Sequence, residues 1–432
     1  GDPWRYGHMT PGLPPTKIPW TTYIQNRTKK SVALNLKKPE AQKALNKLAA
    51  TADVFLTNSP RPVQKALNHT YEDIKAISQN NAEFINSPRT VLVQREFEQA
   101  LEGKFGTRNG LETLIHMDDP KHRKLRGVTR EWFRPGSIER LAPMVETIAR
   151  QYVDKMQGMA GECDFVRDIA LLYPLRVIMS IIGVAPEEEP MMLRLTQELF
   201  GGQDPDQSRG EDMTDSLGVL TDFFTYFKQV VEDRKRNPTD DLATVLANAQ
   251  VDGEPIGDLD QISYFIITAT AGHDTTAATI GGGMKALLDF PQQAQRLRED
   301  PSLYHSAARE MIRWVSPVRH MMRTVMEDTE FCGQTIRAGE SLSLWYPSAN
   351  RDPRAFDRPD EFDVTRDNRN QLAFGYGGHM CLGQHLAILE VECFFRELLP
   401  RLESIELAGD PQWIEAYFVG GLKSMPVRYK FK

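Results

Sequence analysis

Apolar residues recur every three or four positions through most of the chain beyond residue 70. The stretches 137–156 and 211–236 show this spacing with polar side chains between, which is typical of amphipathic helices. The stretch 258–290 is apolar almost throughout, and it predicts a buried helix of about nine turns. Strand-like pieces cluster around 322–347, and glycines and prolines make 351–362 an irregular meander. We therefore expect a mainly α fold with small β-sheets.

The first 69 residues have a different pattern. Apolar positions alternate over 32–36, follow helical spacing over 41–48 and form a short run at 54–56, which indicates a strand, a helix and a strand. The sequences NRTKKSVALNL and DVFLTNSPRP within this segment resemble the family III CoA-transferases of the CaiB/BaiF type. That resemblance does not continue, so we expect residues 1–69 to be a partial transferase-like segment and 70–432 to form the main domain.

Composition excludes several functional classes. The 432 residues carry a net charge of −7, which gives no general attraction to nucleic acid. A hydrophobic fraction of 41% and a charged fraction of 26% are ordinary for a globular protein, and no apolar run reaches the length of a membrane span. No signal peptide is evident, and the four cysteines have no paired spacing. We therefore expect a reduced, cytoplasmic setting.

The strongest chemical signal is the stretch FGYGGHMCLGQHLA, residues 374–387, in which Cys381 lies among glycines. Glycine permits positive φ and close backbone approach, so this loop can press against a flat ligand and direct N–H groups at one sulfur. Cysteine ligation of haem pushes electron density onto the iron and favours O–O cleavage, and N–H donors stabilise the thiolate. The alternative is a buried cysteine in a Gly-rich turn, which is the commoner fate of a single cysteine.

The loop matches the FGxGxHxCxGxxxA signature of the cytochromes P450 at every position, and residues 70–432 resemble that family throughout. The resemblance implies haem b, iron protoporphyrin IX, as the cofactor and Cys381 as the ligand of the iron. It also implies that the other signature residues contact the haem: Phe374, Gly375, His379, Gly383 and Ala387.

A second motif, AGHDTT at 271–276, lies inside the predicted buried helix. Thr275 can donate to the carbonyl oxygen of Ala271 and loosen the helix, and Gly272 leaves room for a ligand, so we expect an oxygen pocket above the haem. Asp274 and Thr275 are the predicted catalytic residues, because proton delivery needs a titratable group within hydrogen-bond reach. The alternative is a helix N-cap or a solvated Asp–Thr pair.

Further residues are assigned to the cofactor, the fold and the substrate. Glu310 and Arg313 lie on one helical face and match the family's structural Glu-x-x-Arg. In the family a third basic residue usually joins this pair. Glu361 stands where an arginine is common, so the sequence does not identify the third basic residue. The haem propionates are anions that need basic partners, and the family-matched candidates are His122, Arg126, Arg323 and His379. The predicted walls of an apolar substrate pocket are Ile266, Ile267, Thr270 and Ala271, with part of 84–114 as a mobile lid.

The resemblance also implies redox partners. The chain has no flavin or nicotinamide fingerprint, so electrons are expected from a [2Fe-2S] ferredoxin with its ferredoxin reductase. Lys121, Lys124 and Arg130 lie in a run rich in basic residues, and we expect them to form a docking patch for an acidic ferredoxin, the alternative being a solvated helix face.

The expected activity is insertion of one oxygen atom of O2 into a C–H bond of a small hydrophobic molecule. Stretches 345–353, 380–390 and 418–428 resemble the soluble bacterial P450 branch that hydroxylates monoterpene alcohols, so a terpenoid or alicyclic substrate is expected, with steroid-like molecules as the related class. Three alternatives are a haem- or ligand-binding protein with impaired turnover, a peroxide-driven peroxygenase and a CoA-transferase.

Because the segment 1–69 stands where the family has a helix and two strands, either it supplies substitute strands or the domain lacks a sheet edge, and we expect the second.

Overall fold

The computed structural model describes residues 71–432 apart from 94, 202–203, 211–212 and 332–333. These residues belong to the second of two units of the chain, Gln64–Lys432. The predicted transferase-like segment and its substitute strands lie outside the described residues, so the domain boundary at 69/70 stays a prediction.

The described residues are mainly helical, as the apolar pattern predicts. The α-helices, numbered in chain order, are α1 Tyr71–Gln79, α2 Arg95–Phe105, α3 Lys121–Thr129, α4 Pro135–Gln157, α5 Leu172–Ile182, α6 Glu189–Phe200, α7 Met213–Arg236, α8 Leu242–Ala247, α9 Asp258–Ala271, α10 Asp274–Asp289, α11 Pro291–Glu299, α12 Tyr304–Val315, α13 Tyr346–Ala349 and α14 Gln384–Leu398. The stretch 258–290, predicted as one helix, is interrupted between α9 and α10. A π-helix, Phe165–Ala170, precedes α5.

The strands are short and form small antiparallel sheets. They are β1 Phe84–Ile85, β2 Glu162–Asp164, β3 Gln250–Val251, β4 Glu254–Pro255, β5 His320–Val325, β6 Thr329–Phe331, β7 Gln334–Ile336, β8 Ser341–Trp345, β9 Leu402–Leu407, β10 Gln412–Trp413, β11 Leu422–Ser424 and β12 Pro426–Phe431. Two sheets have three strands, in the orders β1-β5-β8 and β2-β12-β9. The other pairs are hairpins, β3-β4, β6-β7 and β10-β11.

The main core lies where α14 packs against α4, α10 and α12. Phe394 of α14 contributes much of it, because its ring contacts the rings of Phe165 and Tyr173 at centroid distances of 6.0 and 5.3 Å. A second apolar cluster, which includes Phe84, Val325 and Leu344, lies beneath the sheet β1-β5-β8. The segments that approach Cys381 lie between the helical core and this sheet.

A fully buried ion pair fixes the meander to α12. Arg313 donates from Nε and Nη2 to the two carboxylate oxygens of Glu310, both at 2.7 Å, and neither side chain is exposed to solvent. Arg313 Nη1 also donates to the carbonyl oxygens of Asn350 and Pro359, at 2.8 and 3.0 Å. These bonds satisfy most of the guanidinium donors, which is what a buried arginine requires.

Arg366 supplies the third basic residue that the sequence pattern left open. Its Nε lies 3.3 Å from Glu310 Oε1, and its side chain is 8% exposed. Its Nη2 donates to the carbonyl oxygens of Arg358 and Glu361, both at 2.9 Å. The basic partner therefore comes from five residues beyond Glu361, and it closes the turn that contains Glu361.

Asn350 connects this ion-pair network to the cysteine loop. Its carbonyl oxygen accepts from Arg313 at 2.8 Å, and its Oδ1 accepts from the backbone N–H of Leu372 at 2.7 Å. Its Nδ2 donates to the Oγ of Ser316 at 2.8 Å, and Ser316 is the residue with a left-handed φ of 44° that caps the end of α12. Fully buried Asn350 thus couples the end of α12 to the start of the loop.

We predict that Glu310→Ala destabilises the protein by about 3–5 kcal/mol, because it leaves the buried Arg313 charge uncompensated. The change is measured as the shift in the free energy of unfolding by denaturant. The matched control is Asp367→Ala in the same meander, whose partner Arg369 is 82% exposed, and it is expected to cost at most about 1 kcal/mol. Equal losses in the two variants would contradict a special role of the buried pair.

Candidate active site

A single apolar cavity brings together most of the predicted site residues. It has a volume of about 240 Å³ and lies between the α9–α10 region and the segment formed by the cysteine loop and α14. The predicted residues that line it are His122, Arg126, Ile267, Ala271, Gly272, Thr275, Arg323, Phe374, Gly375, His379, Cys381, Gly383 and Ala387.

The cysteine loop is a tight turn that ends on the N-terminus of α14. The backbone N–H of Cys381 donates to the carbonyl oxygen of Phe374 at 2.8 Å, and that of Gly375 donates to Leu372 at 2.9 Å. Burial raises the pKa of the Cys381 thiol, whereas the backbone N–H of Gly383 and the charge of Arg126 lower it. The N–H donor and the helix N-terminus both favour a sulfur anion and so oppose the effect of burial.

Two glycines of the loop have backbone conformations that favour glycine, and two lie close to the end of α1 or the residues after it. Gly375 has φ 70° and Gly377 has φ 73°, which are left-handed values that favour glycine. A Cβ on Gly377 would overlap the carbonyl oxygen of Ser78, at the end of α1. A Cβ on Gly378, to which the signature assigns no role, would lie 2.5 Å from Nδ2 of Asn81. The backbone that approaches the loop here is therefore the C-terminal end of α1.

The long buried helix breaks at the AGHDTT motif. Thr275 Oγ1 donates to the carbonyl oxygen of Ala271 at 3.2 Å, the side-chain bond that the sequence predicts. The backbone N–H of His273 bonds three residues back, to Thr270 at 3.4 Å, and the regular pattern resumes with Ala277 bonding to His273 at 3.0 Å. Gly272 is also a packing residue, because a Cβ there would lie 2.7 Å from Cγ1 of Ile178 on α5.

The two predicted catalytic residues occupy different environments. Thr275 lines the cavity, whereas Asp274 is not among the residues that line it. Asp274 Oδ1 lies 3.1 Å from Nδ1 of the fully buried His273, and Asp274 Oδ2 is buried without a hydrogen-bond partner among the described residues. His273 is fixed through Nε2, 2.9 Å from the carbonyl oxygen of Leu171. Sequence reasoning assigned nothing to His273, although it stands at the centre of the motif.

The predicted substrate walls divide between two faces of α9. Ile267 and Ala271 line the cavity, but Ile266 and Thr270 do not; both are buried, at about 1% exposure, and Thr270 Oγ1 bonds to the carbonyl of Ile266. Residues four apart lie on the same helical face, so the two pairs face different neighbours. Of the predicted lid, Asn86 and Leu114 line the cavity.

Much of the wall comes from residues that sequence reasoning did not single out. They come from α5, α6, the turn before β5, β5 itself and the segment before β11: Ile178, Phe200, Val318, Met321, Phe418 and Val419. The rings of Phe200 and Phe418 lie 6.0 Å apart between centroids. These residues are distant in sequence, so no local pattern could bring them together.

Four basic side chains converge beside the cysteine loop. The rings of His122 and His379 stack with centroids 3.9 Å apart. Burial and the neighbouring His122, Arg323 and Arg126 lower the pKa of His379 to about 2, and burial followed by Arg126 lowers the pKa of His122. Arg126 Nη2 donates to the carbonyl oxygen of Met380 at 2.5 Å. Such crowding of cations disfavours protonation unless anions are added.

The same cluster fits the propionates of haem. Arg323 is 2% exposed, and its Nη1 donates to the carbonyl of Met322, but no carboxylate among the described residues forms an ion pair with it. Arg323 Nε and His122 Nε2 are buried without a hydrogen-bond partner in that part of the chain. A buried guanidinium without an acid is costly, so these donors match a ligand that brings carboxylates to this end of the cavity.

One further cavity residue is Glu390 on α14. It is 1% exposed, it lines the cavity, and burial raises its pKa well above the ordinary value. The sequence did contain a signal: Gly383, Ala387 and Glu390 share a helical face, and the first two belong to the cysteine signature.

Comparison with known proteins agrees with this geometry. The family model for cytochrome P450 matches residues 31–431. Cytochrome P450-terp of Pseudomonas sp is 40% identical over 378 residues, covering 85% of this chain and 88% of the relative. A steroid C26-monooxygenase of Mycobacterium tuberculosis is 36% identical over 320 residues, covering 73% and 86% of the two chains.

Solved structures give the same result. The crystal structure of CYP108D1 from Novosphingobium aromaticivorans matches with a TM-score of 0.79 and 42% identity, covering 91% of this chain and 95% of the other. That of Mycobacterium marinum CYP268A2 in complex with pseudoionone matches with a TM-score of 0.78 and 29% identity, covering 93% and 100%. None of the helices in the described part of the chain is long and apolar enough to cross a membrane. The chain belongs to the cytochrome P450 family of monooxygenases, whose cofactor is haem iron.

Proposed function

We propose that this P450 hydroxylates a small, mostly hydrocarbon terpenoid or alicyclic molecule, with electrons from a [2Fe-2S] ferredoxin. The observation that carries the proposal is one apolar cavity with Cys381 and a basic cluster at one side and the broken α9–α10 region at the other. The relatives' names support hydrophobic substrates, since they include a P450-terp, a steroid C26-monooxygenase and a methyl-branched lipid omega-hydroxylase.

Residue roles follow from the donors that surround the cavity. Cys381 would hold the iron through its sulfur, with the Gly383 N–H stabilising the thiolate. Arg126, Arg323, His122 and His379 would hold the propionates by charge-assisted hydrogen bonds. When bound, haem with a thiolate ligand supplies O2 activation and O–O cleavage.

Substrate size and polarity would be set by the remaining walls. Ile178, Phe200, Val318 and Phe418 offer only carbon atoms to a ligand, which favours a hydrocarbon skeleton and excludes water from the reacting side. The Phe200–Phe418 pair would limit the length of the substrate, because it brings α6 and the segment before β11 together across the cavity.

Proton delivery would pass through Thr275 and Asp274. The Thr275 hydroxyl donates to Ala271, and its oxygen can still accept a hydrogen bond from a water. Asp274 has a buried carboxylate oxygen without a hydrogen-bond partner among the described residues, and its side chain would have to rotate to reach the cavity. This pair supports the O2-dependent route over a peroxide-driven one.

The proposed ferredoxin surface is narrower than the sequence predicts. Lys121 pairs with Asp260 at 2.7 Å and Lys124 pairs with Asp252, so these charges are largely neutralised. Arg130 is exposed, and no ion pair to it occurs within the described residues. Arg130 would therefore provide more of the attraction for an acidic partner than either lysine.

We predict that purified protein gives a thiolate-type Soret band in the reduced carbon-monoxide difference spectrum and that Cys381→Ala abolishes it. Monoterpene alcohols are then screened with ferredoxin, reductase and ¹⁸O2, with one ¹⁸O atom expected in the product. A thiolate band without any product would favour a haem-binding protein with impaired turnover. Product made only with hydrogen peroxide would favour a peroxygenase, and a band that survives Cys381→Ala would refute the iron ligand.

We predict that Arg323→Leu raises the rate of haem loss to an acceptor protein by at least about tenfold, because a charge-assisted contact of about 1.5–3 kcal/mol is removed. Without haem, the same variant should be as stable as the parent or more stable, because the unpaired buried charge is gone. Met322→Leu, the neighbouring position on β5, is the control for packing. Unchanged haem retention would rule out Arg323 as a propionate partner.

We predict that Arg130→Glu slows reduction by an acidic ferredoxin by up to about tenfold at low ionic strength, with a weaker dependence on salt. The measurement is the second-order rate of reduction in stopped flow, with carbon monoxide trapping the reduced haem. Lys228→Glu, on α7, which packs against α8 and α9, is the charge-matched control. The docking assignment fails if the two variants are reduced at the same rate.

A further inference from the structure

His320 is a fully buried histidine that the proposed chemistry does not use. It begins β5, its side chain is 0% exposed, and it is not among the residues that line the cavity. Val318 and Met321, close to it in sequence, do line the cavity, and so does Phe418, whose ring lies 6.1 Å from the imidazole between centroids. The ring of His320 therefore lies behind the cavity wall.

One side of the ring holds residues 90–92 of the predicted lid, here called the lid segment. The backbone N–H of Leu92 donates to Nε2 of His320 at 3.0 Å. Two residues earlier, the carbonyl oxygen of Thr90 accepts from the backbone N–H of Met322 at 2.8 Å, and β1 pairs with β5 before that. The imidazole thus adds one hydrogen bond to the contact between the lid segment and β5.

The other side of the ring meets residues 417–419, here called the wall segment. Nδ1 has no hydrogen bond of normal geometry among the described residues, but the backbone of Tyr417 raises the pKa of the ring, as a nearby carbonyl oxygen does. The backbone N–H of Arg319 donates to the carbonyl oxygen of Phe418 at 2.9 Å. Because Nε2 accepts a bond and Nδ1 faces an acceptor, the arrangement fits a neutral imidazole with its proton on Nδ1.

The two segments that meet at His320 both help to shape the cavity. Phe418 of the wall segment contacts Phe200 at 6.0 Å between ring centroids, and this pair is the one proposed to limit substrate length. The lid segment follows Asn86, which lines the cavity. Since the segments are distant in sequence and His320 contacts both, a change at this one ring is expected to alter both walls.

We propose that His320 is a positioning residue for substrate selection, which accepts a hydrogen bond from Leu92 and packs against Phe418 and so holds the lid segment against the wall segment. It acts through these two segments from behind the wall. The effect on substrate choice rests on the proposed function, whereas the contact between the two segments does not.

Protonation of His320 would break this contact, because an imidazolium has two donors and cannot accept from Leu92. Burial lowers the pKa of His320 to about 4, the backbone of Tyr417 raises it, and the charge of Arg319 lowers it. In the described part of the chain, the lid segment, β8 and the wall segment otherwise present uncharged groups to the ring: the Leu92 N–H, Trp345 and Phe418. A folded-state pKa below the ordinary 6.5 means that the contact stabilises fully above pH 6.5 and weakens as the pH falls towards 4.

Hydrogen exchange at the Leu92 amide tests the contact itself. Protection of this amide in the haem-bound protein is measured at about pH 7.5 and pH 5.5, by mass spectrometry with residue-level fragmentation and correction for the intrinsic effect of pH. An opening that frees the ring restores its ordinary pKa, so protection in the parent is expected to be about tenfold lower at the acid pH.

His320→Gln is the matched variant, because its amide oxygen can accept from Leu92 and does not titrate. It should protect Leu92 equally at both pH values. His305→Gln, at a histidine whose side chain is 60% exposed, should respond to pH like the parent. A parent and a His320→Gln variant with the same response to pH would overturn the proposal.

Substrate selection is tested with two isomeric monoterpene alcohols, compact borneol and extended geraniol. His320→Phe keeps an aromatic ring against Phe418 but removes the acceptor for Leu92. The ratio of the two dissociation constants, measured from the substrate-induced shift of the Soret band, should move about threefold or more towards geraniol, because one hydrogen bond that holds the wall is lost. His320→Gln should keep the parent ratio, and the parent at acid pH should approach the ratio of His320→Phe.

The two measurements separate this inference from the function on which it rests. If Leu92 protection follows pH as expected but neither alcohol shifts the Soret band, the proposed substrate class is wrong and the His320 contact stands. If His320→Phe changes neither Leu92 protection nor the ratio, the positioning role is wrong for any substrate. A ratio restored by His320→Gln and an unchanged unfolding midpoint in His320→Phe exclude a general loss of stability as the cause.

Discussion

The buried pair of Glu310 and Arg313 is the constraint on which the active site depends. Neither charge reaches solvent, so both must be satisfied by hydrogen bonds within the protein. The bonds that satisfy Arg313 come from the backbone of Asn350 and Pro359, and Glu310 also accepts from the backbone N–H of Asp363 at 3.0 Å. An irregular meander without regular secondary structure is thereby held against α12, because releasing it would leave the buried charges without these hydrogen bonds.

Only a few hydrogen-bonded residues connect that ion pair to Cys381. Asn350 holds Leu372, Leu372 accepts from Gly375, and Phe374 accepts from Cys381. On the other side of the loop the backbone at Gly377 contacts the end of α1. The loop that carries the sulfur is thus held by hydrogen bonds to its backbone and by the close contact at Gly377. This arrangement suits a ligand atom that must stay in place while substrates of different shapes enter the cavity.

The sequence predicted those features whose interacting residues all lie within one short segment. Periodic apolar residues predicted α4 and α7, and the cysteine signature predicted a turn leading into α14. Thr275 could be expected to bond to Ala271 because both belong to one helical turn. Arg366 could not be expected, because its approach to Glu310 depends on the path of the meander between them. Phe200 and Phe418 could not be paired either, since only the tertiary fold brings α6 to the segment before β11.

The electrostatics of the cavity connect cofactor binding to folding. Arg126, Arg323, His122 and His379 gather at one end of the cavity, and within the described residues only His122 has a carboxylate within ion-pair distance, that of Asp119 at 3.8 Å. Burial and the neighbouring basic groups lower the pKa of His379. This arrangement costs free energy in the protein alone, and a ligand with two carboxylates recovers it. Because a ligand that binds only the folded state stabilises that state, the haem contributes to the stability of the domain as well as to its chemistry. The opposite holds at Glu390, where no cation of the described residues forms an ion pair and burial raises the pKa of the carboxyl. The lining of the cavity therefore includes one group of residues that favours anions and one residue whose burial disfavours a negative charge.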